Sequence, residues 1–111
     1  MAEITRDKVL LLALANAPLR DLDLSGLDLV SFDFSHADMS KADLRGANLS
    51  GANLVHANLR GANLGGAILI RADLRHADLR EADFNGAVLD LANLEGADLT
   101  GVTMPDGTKR R

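Results

Sequence analysis

The sequence contains no cysteine, tryptophan or tyrosine, and its only aromatic residues are three phenylalanines. Without cysteine the chain has no disulfide, no thiolate metal site and no cysteine nucleophile. Large aromatic residues usually anchor a globular core. The apolar residues, 47% of the chain, must therefore fill a core by number rather than by size, and most of them are leucine and alanine.

The sequence also lacks an excess of basic charge and a long hydrophobic run. The formal net charge of the 111 residues is −4, which argues against nucleic-acid binding through a basic surface. No apolar run approaches the roughly 18 residues that a transmembrane helix needs. The absence of cysteine suits a reducing compartment. We therefore expect a cytoplasmic protein that binds neither nucleic acid nor membrane directly.

The apolar segment 9–15 allows two interpretations. Its end has the small-residue spacing of a signal-peptide cleavage site, at residues 15–17. The charged side chains before it cancel, however, which is unlike the basic start of a signal peptide. Thr5 is a good helix N-cap, and Pro18 disfavours helical geometry in the residue before it. We interpret the segment as a short helix that covers one end of the fold.

A five-residue repeat dominates the rest of the chain. Leu, Phe or Met occupies every fifth position from 24 to 104 without interruption. Most units read Ala-Asp/Asn-Leu-x-x, as in residues 42–46. Apolar residues two apart indicate a short extended segment with one face inward, and the polar or glycine residues after them indicate a turn. The period of five fits neither a helix nor a plain strand, and it predicts a solenoid of sides and corners.

Two residue types show how many sides make one coil. Glycine recurs at 26, 46, 66 and 86, and the only histidines of the chain stand at 36, 56 and 76. Both spacings are twenty residues, so each coil has four sides, and central residues twenty apart stack on one another. The predicted core ladder comprises Leu24, Leu44, Leu64, Phe84, Leu29, Leu49, Leu69, Leu89, Phe34, Leu54, Leu74, Leu94, Met39, Leu59, Leu79 and Leu99.

On these seventeen consecutive units the chain resembles the pentapeptide-repeat family. The resemblance implies an all-β solenoid, namely a right-handed quadrilateral β-helix of about four coils. An open solenoid end needs a cap, so we expect an N-terminal capping α-helix. The predicted organisation is a capping helix and linker at 1–21, the β-helix at 22–104, and a C-terminal turn with a frayed basic tail at 105–111.

The polar residues of the repeat suggest structure rather than catalysis. Asp and Asn exchange freely at the second position of the unit, so their shared side-chain carbonyl is expected to bind nearby backbone. General acid–base catalysis would not tolerate that exchange. With no catalytic or cofactor motif in the chain, we expect no enzyme activity and no cofactor. The column His36, His56 and His76 could bind a metal or titrate as a coupled set, but a corner position that tolerates many residue types explains it better, so we expect no metal site.

An apolar cluster on one side of the coil points to protein binding. It lies on the side centred on Leu29, Leu49, Leu69 and Leu89, and contiguous exposed apolar residues usually mark a contact surface. We therefore predict a non-enzymatic structural or protein-interaction module that forms a weak homodimer through this side. The candidate interface residues are Val30, Ile68, Ile70, Val88 and Leu91.

The resemblance also implies an alternative function. Some pentapeptide-repeat proteins are similar to B-form DNA in width and acidity, bind DNA gyrase and confer quinolone resistance. Here the charge is banded: −5 over residues 21–40, +3 over 41–80 and −6 over 81–106. The basic middle band departs from such a mimic, as do the shortness of the rod and the lack of a visible C-terminal dimerisation helix or inserted loop.

Overall fold

The computed structural model describes residues 4–111. Its helix α1 spans Arg6–Leu14, and the hydroxyl of Thr5 accepts the N–H of Lys8 at 3.2 Å, as an N-cap does. The helix ends because Asn16 adopts a left-handed conformation with φ 55°. The N–H of Ala17 then donates to the carbonyl of Leu12 at 2.9 Å, which closes a Schellman motif. Termination therefore precedes Pro18.

The repeat region is built from parallel bridges between residues twenty apart. Thirteen such bridges run from the pair Asp23–Asp43 to the pair Asp83–Thr103. The offset is the one that the glycine and histidine spacings predict. We name residues 22–41, 42–61, 62–81 and 82–101 coils 1 to 4. Sides A, B, C and D are the columns of units that contain the central residues Leu24, Leu29, Phe34 and Met39, respectively.

Each side is a single bridged residue rather than a continuous strand, which differs from the predicted strands. In the unit 42–46, the N–H of Asp43 donates to the carbonyl of Leu22 at 2.9 Å. The N–H of Leu44 donates to the carbonyl of Asn63 at 2.7 Å. The fifth residue then turns the corner with a positive φ, 68° at Gly46. Because a left-handed residue recurs every five positions, no extended segment is long enough to become a longer strand.

The core lies inside the coils and is entirely apolar among residues 4–111. Thirteen of the sixteen ladder residues are buried, with alanines of the small position packed between them. The exceptions are Leu89, Leu94 and Leu99, which are only half-buried. All three belong to coil 4, so the last coil leaves part of the core open to solvent.

The stacking begins one unit earlier than the predicted boundary at residue 22. Leu19 is fully buried, and its N–H donates to the carbonyl of Asp38 at 2.8 Å. Asp21 turns the corner with φ 60°, and its N–H donates to the carbonyl of Ser40 at 3.0 Å. Residues 17–21 are thus a unit of side D. Pro18 occupies the Asp/Asn position of this unit, and the repeat pattern does not reveal it for that reason.

The basic tail is paired rather than frayed, which corrects the expectation for residues 105–111. After the turn at 105–107, Lys109 forms an antiparallel bridge with Thr103. The N–H of Arg110 donates to the carbonyl of Val102 at 2.7 Å. Val102 is fully buried, and the tail pairs with the last unit of side A at this end of the molecule.

Helix α1 packs on coil 1 through a small part of its surface. Val9 is fully buried, and Leu12 and Ala13 are half-buried against the core. The guanidinium of Arg6 lies 5.0 Å from the ring centroid of Phe32, a cation–π distance. Among residues 4–111, no helix has the length and apolar character of a membrane span.

Candidate functional site

The Asp and Asn residues of the repeat stabilise the corners. In fourteen units the side-chain Oδ1 accepts the N–H of the residue two positions on, and Asp106 of the C-terminal turn does the same. The Oδ1 atoms of Asp33 and Asn53 both accept such a bond at 3.0 Å, from Ser35 and Val55. Asp and Asn therefore make the same Asx turn, and the carboxylates at this position have a structural role.

Several of these carboxylates accept further bonds that keep them ionised. The hydroxyl of Ser25 donates to Asp23 at 2.6 Å and lowers the pKa of that carboxyl, as does the N–H of Ser25. The guanidinium of Arg45 lowers the pKa of Asp43 in the same way, with an Nη2–Oδ2 distance of 2.7 Å. The carboxyl groups with a lowered pKa are those of Asp23, Asp33, Asp38, Asp43, Asp73, Asp78, Asp98 and Asp106.

The three histidines form a stacked column at the corner between sides C and D. The ring centroids of His36 and His56 lie 5.1 Å apart, and those of His56 and His76 lie 5.0 Å apart. Adjacent planes differ by 11° and 16°. Gly96 follows beneath, where a Cβ atom would lie only 2.4 Å from Nδ1 of His76. The ring of His76 therefore covers the glycine, and the column ends there.

The metal hypothesis for this column gains no support from the geometry. Among residues 4–111, no group of three or more His, Asp or Glu side chains is arranged to hold a metal ion. The parallel rings stack face to face, whereas tetrahedral zinc coordination needs ring nitrogens that converge on one point.

The predicted interface residues share side B but do not form one patch. Ile68 and Val88 are bridged neighbours in coils 3 and 4, and Ile70 lies beside Ile68 on the same side. Leu91, at the corner of coil 4, is 72% exposed. Val30 is exposed too, but it belongs to coil 1, and Ser50 of coil 2 separates it from the others. The side-B patch consists of Ile68, Ile70, Val88 and Leu91.

The basic middle band is partly neutralised within its own units. Arg45, Arg75 and Arg80 each pair with the aspartate two positions earlier, with nitrogen–oxygen distances of 2.6–2.7 Å. These pairs are exposed, so each contributes little to stability. They nevertheless fold three of the six basic side chains of the band back onto the rod.

The structure also contains a groove that has no signature in the repeat pattern. A cavity of about 330 Å³ lies between α1 and coil 1. Leu11 and Leu14 of α1 are largely exposed, so the helix covers coil 1 with only part of its apolar surface. In the sequence, the run of apolar residues after Lys8 places apolar side chains on every side of the helix, which indicates that coil 1 cannot cover all of them.

The bridges define this molecule as a repeat protein whose coils stack in parallel register. The sequence profile of pentapeptide repeats matches it in eight copies, over residues 28–66 and 67–104. The chain belongs to the pentapeptide-repeat family, whose members form right-handed quadrilateral β-helices. A search of the curated proteins finds no significant match.

Solved structures of the family agree with this assignment. Rfr23 from the cyanobacterium Cyanothece 51142 is 36% identical over 75% of this chain and 56% of its own, with a TM-score of 0.74. A pentapeptide repeat protein from the Arabidopsis thaliana thylakoid lumen is 31% identical over 78% of this chain and 64% of its own, with a TM-score of 0.58. The chain therefore spans less than two thirds of either relative.

The fluoroquinolone resistance protein QnrB1 is also similar in sequence. It is 28% identical over 78% of this chain and 45% of its own. The TM-score of 0.49 is too low for the superposition to bear on function.

Proposed function

We propose that this chain is a non-enzymatic protein-interaction module. In this proposal it forms a right-handed quadrilateral β-helix of about four coils, closed at its N-terminal end by α1. The side-B patch is its binding surface. The bridges twenty residues apart and the burial of Val9 support the architecture. The engagement of the aspartates in Asx turns supports a role without catalysis.

The observation that carries the proposal is the loss of two stacked Asx turns. Positions 68 and 88 are second positions of the repeat, where Asp or Asn normally accepts an N–H two residues on. With Ile68 and Val88 there, the N–H groups of Ile70 and Asp90 have no side-chain acceptor among residues 4–111. The chain thus gives up local hydrogen bonds at two adjacent places and exposes apolar surface instead. A requirement for binding explains that exchange, whereas the fold alone favours Asp or Asn.

We propose that the side-B patch binds the same patch on a second copy of the chain. A twofold dimer is the commonest closed assembly, and a patch of four residues per copy is small compared with stable interfaces. Such a dimer is weak and forms at high concentration.

The test of the dimer places aspartate, a residue that the repeat normally carries, at positions 68 and 88. The double variant Ile68→Asp and Val88→Asp regains the Asx acceptors, so it folds while the patch becomes acidic. Asn58→Asp with Asn63→Asp is a matched control, because it adds the same charge at second positions on other sides. Multi-angle light scattering at high concentration is expected to show a dimer for the wild type and the control, and a monomer for the patch variant. A monomeric wild type contradicts self-association, and a dimeric patch variant contradicts the patch.

DNA mimicry is the second candidate function, and the acidic bands at residues 21–40 and 81–106 are the observation that favours it. The basic residues between them interrupt the acidic surface, so we expect no protection of gyrase from quinolones in a supercoiling assay. Clear protection that disappears when the band at 81–106 is neutralised would make this the better proposal.

A further inference from the structure

Helix α1 exposes more apolar surface than a docked helix normally does. From Val9 to Ala15 every residue is apolar, and a helix that is apolar on all sides is usually buried on all sides. Here only Val9 is fully buried, whereas Leu11 is 63% and Leu14 72% exposed. The outer surface of α1 lacks a packing partner among residues 4–111.

The groove beside α1 combines this apolar surface with a polar rim. Leu10, Ala13 and Leu14 of the helix line the groove, as does the buried Phe32. Its polar rim consists of residues of coil 1, namely Asp33, Ser35, His36 and Asp38. A volume of about 330 Å³ lies within the range of sites that hold a few side chains or a small ligand.

The rim is acidic, and Arg6 and Arg20 are the cations beside it, with the guanidinium of Arg6 5.0 Å from the ring centroid of Phe32. Residues 21–40 contain five aspartates and no basic residue. Asp38 pairs with Arg20 at 3.2 Å, while Asp33 accepts its bonds from the N–H and hydroxyl of Ser35. The carboxylate of Asp33 thus keeps its full charge, and the Ser35 bonds lower the pKa of that carboxyl. A ligand in the groove meets leucine on one wall and negative charge on the other.

We propose that this groove binds a basic amphipathic helix of another protein. Its apolar side chains cover Leu10 and Leu14, and a lysine or arginine side chain faces Asp33. This is the helix-in-groove mode of recognition, with charge complementarity selecting the partner. A second copy fits poorly, because α1 carries only Arg6, Asp7 and Lys8 as charged residues. The site lies on α1 and coil 1, away from the side-B patch, and does not depend on it.

Binding to the groove is tested with a synthetic helical peptide of leucine and lysine. A peptide of the same pattern, with glutamate in place of lysine, serves as the acidic comparison. Fluorescence anisotropy with the full chain is expected to show that the basic peptide binds at least about tenfold more tightly. Leu10→Ser with Leu14→Ser should weaken binding by about tenfold. Asp33→Asn should also weaken it and reduce its salt dependence, while the Asx turn to Ser35 is retained.

The control makes the same chemical change at the other end of the rod. Asp98→Asn alters an aspartate that is bonded to Thr100 as Asp33 is bonded to Ser35. This variant should bind the basic peptide like the wild type. The proposal is wrong if neither peptide binds, if both bind equally, or if the control weakens binding as much as the groove variants. Circular dichroism shows whether each variant is folded, and light scattering reports the side-B dimer separately.

Discussion

The fifth residue of each unit turns the corner in a left-handed conformation, and this conformation restricts which substitutions the corner tolerates. Glycine adopts it without strain, whereas an L-residue loses stability there. A Cβ atom at Gly46 would meet open space, while Gly96 lies under the ring of His76. The two glycines therefore separate the backbone effect from the contact effect.

We expect Gly46→Ala to cost about 1 kcal/mol of unfolding free energy, from backbone strain alone. Gly96→Ala should cost more, because its Cβ atom displaces the ring of His76 from the stack. Urea denaturation measures both. In a His76→Ser background the two alanine substitutions should cost the same. Equal costs in the wild-type background would mean that the ring does not cover Gly96.

The aspartates of the Asx turns also predict a dependence of stability on pH. In the folded chain the pKa of Asp33 lies below its ordinary value of 3.8, because Ser35 donates two hydrogen bonds to the carboxylate. The unfolded chain therefore binds a proton first as the pH falls. The stabilisation is complete above the unfolded pKa and is lost as the pH falls through the folded pKa.

Replacing Asp23, Asp33 and Asp98 together with asparagine should flatten the loss of stability below about pH 4. The turns remain, because the amide carbonyl accepts the same N–H. Near neutral pH the change should be small compared with that at acid pH. The reciprocal variant Asn58→Asp should steepen the acid dependence, since Arg60 follows it as Arg45 follows Asp43. Thermal unfolding between pH 2 and 7 measures all three proteins; parallel profiles would contradict the assigned bonds.

At the scale of the element, α1 depends on one buried residue. Val9 is fully buried, whereas Leu11 on the same helix is 63% exposed. We expect Val9→Ala to lower the unfolding free energy by about 2 kcal/mol, through lost burial and the cavity left behind. Leu11→Ala should change it by less than about 0.5 kcal/mol. Chemical denaturation of both variants measures the difference, and equal losses would show that α1 packs through its other face.

The elements differ in how far the sequence predicts them. The five-residue period and the spacings of Gly46 and His56 predict the register, because side chains at one corner must repeat with the coil. Thr5 predicts the start of α1. The end of α1 depends on the left-handed Asn16, which the pattern of apolar residues does not reveal. The pairing of Lys109 with Thr103 depends on how the preceding turn closes, and it has no signature in the repeat.

At the scale of the whole molecule, the two ends of the rod are covered to different extents. The N–H groups of the core residues in coil 3 donate to coil 4, for example from Leu74 to the carbonyl of Asn93 at 2.8 Å. The corresponding N–H of Leu94 has no backbone acceptor among residues 4–111. The tail pairs only with side A. The sequence predicts the core ladder but not the exposure of coil 4, because that exposure depends on which coil is the last one to be stacked.

Hydrogen exchange should therefore be uneven along the core ladder. At low protein concentration, the amides of Leu89, Leu94 and Leu99 should exchange at least about tenfold faster than those twenty residues earlier. Exchange measured by NMR resolves the two sets within one sample, and the earlier set serves as the internal control. Equal protection of both sets would mean that something covers the end of coil 4.

Because the offset is always twenty residues, the distance between two surfaces along the rod can change only by whole coils. Inserting one whole coil between residues 61 and 62 would move the side-B patch away from the α1 groove by one strand spacing, about 4.8 Å, in the same orientation. Inserting a single unit of five residues would instead turn everything beyond it by one side of the square. Two surfaces on this rod therefore change their separation in steps of twenty residues, and change their relative direction in quarter turns.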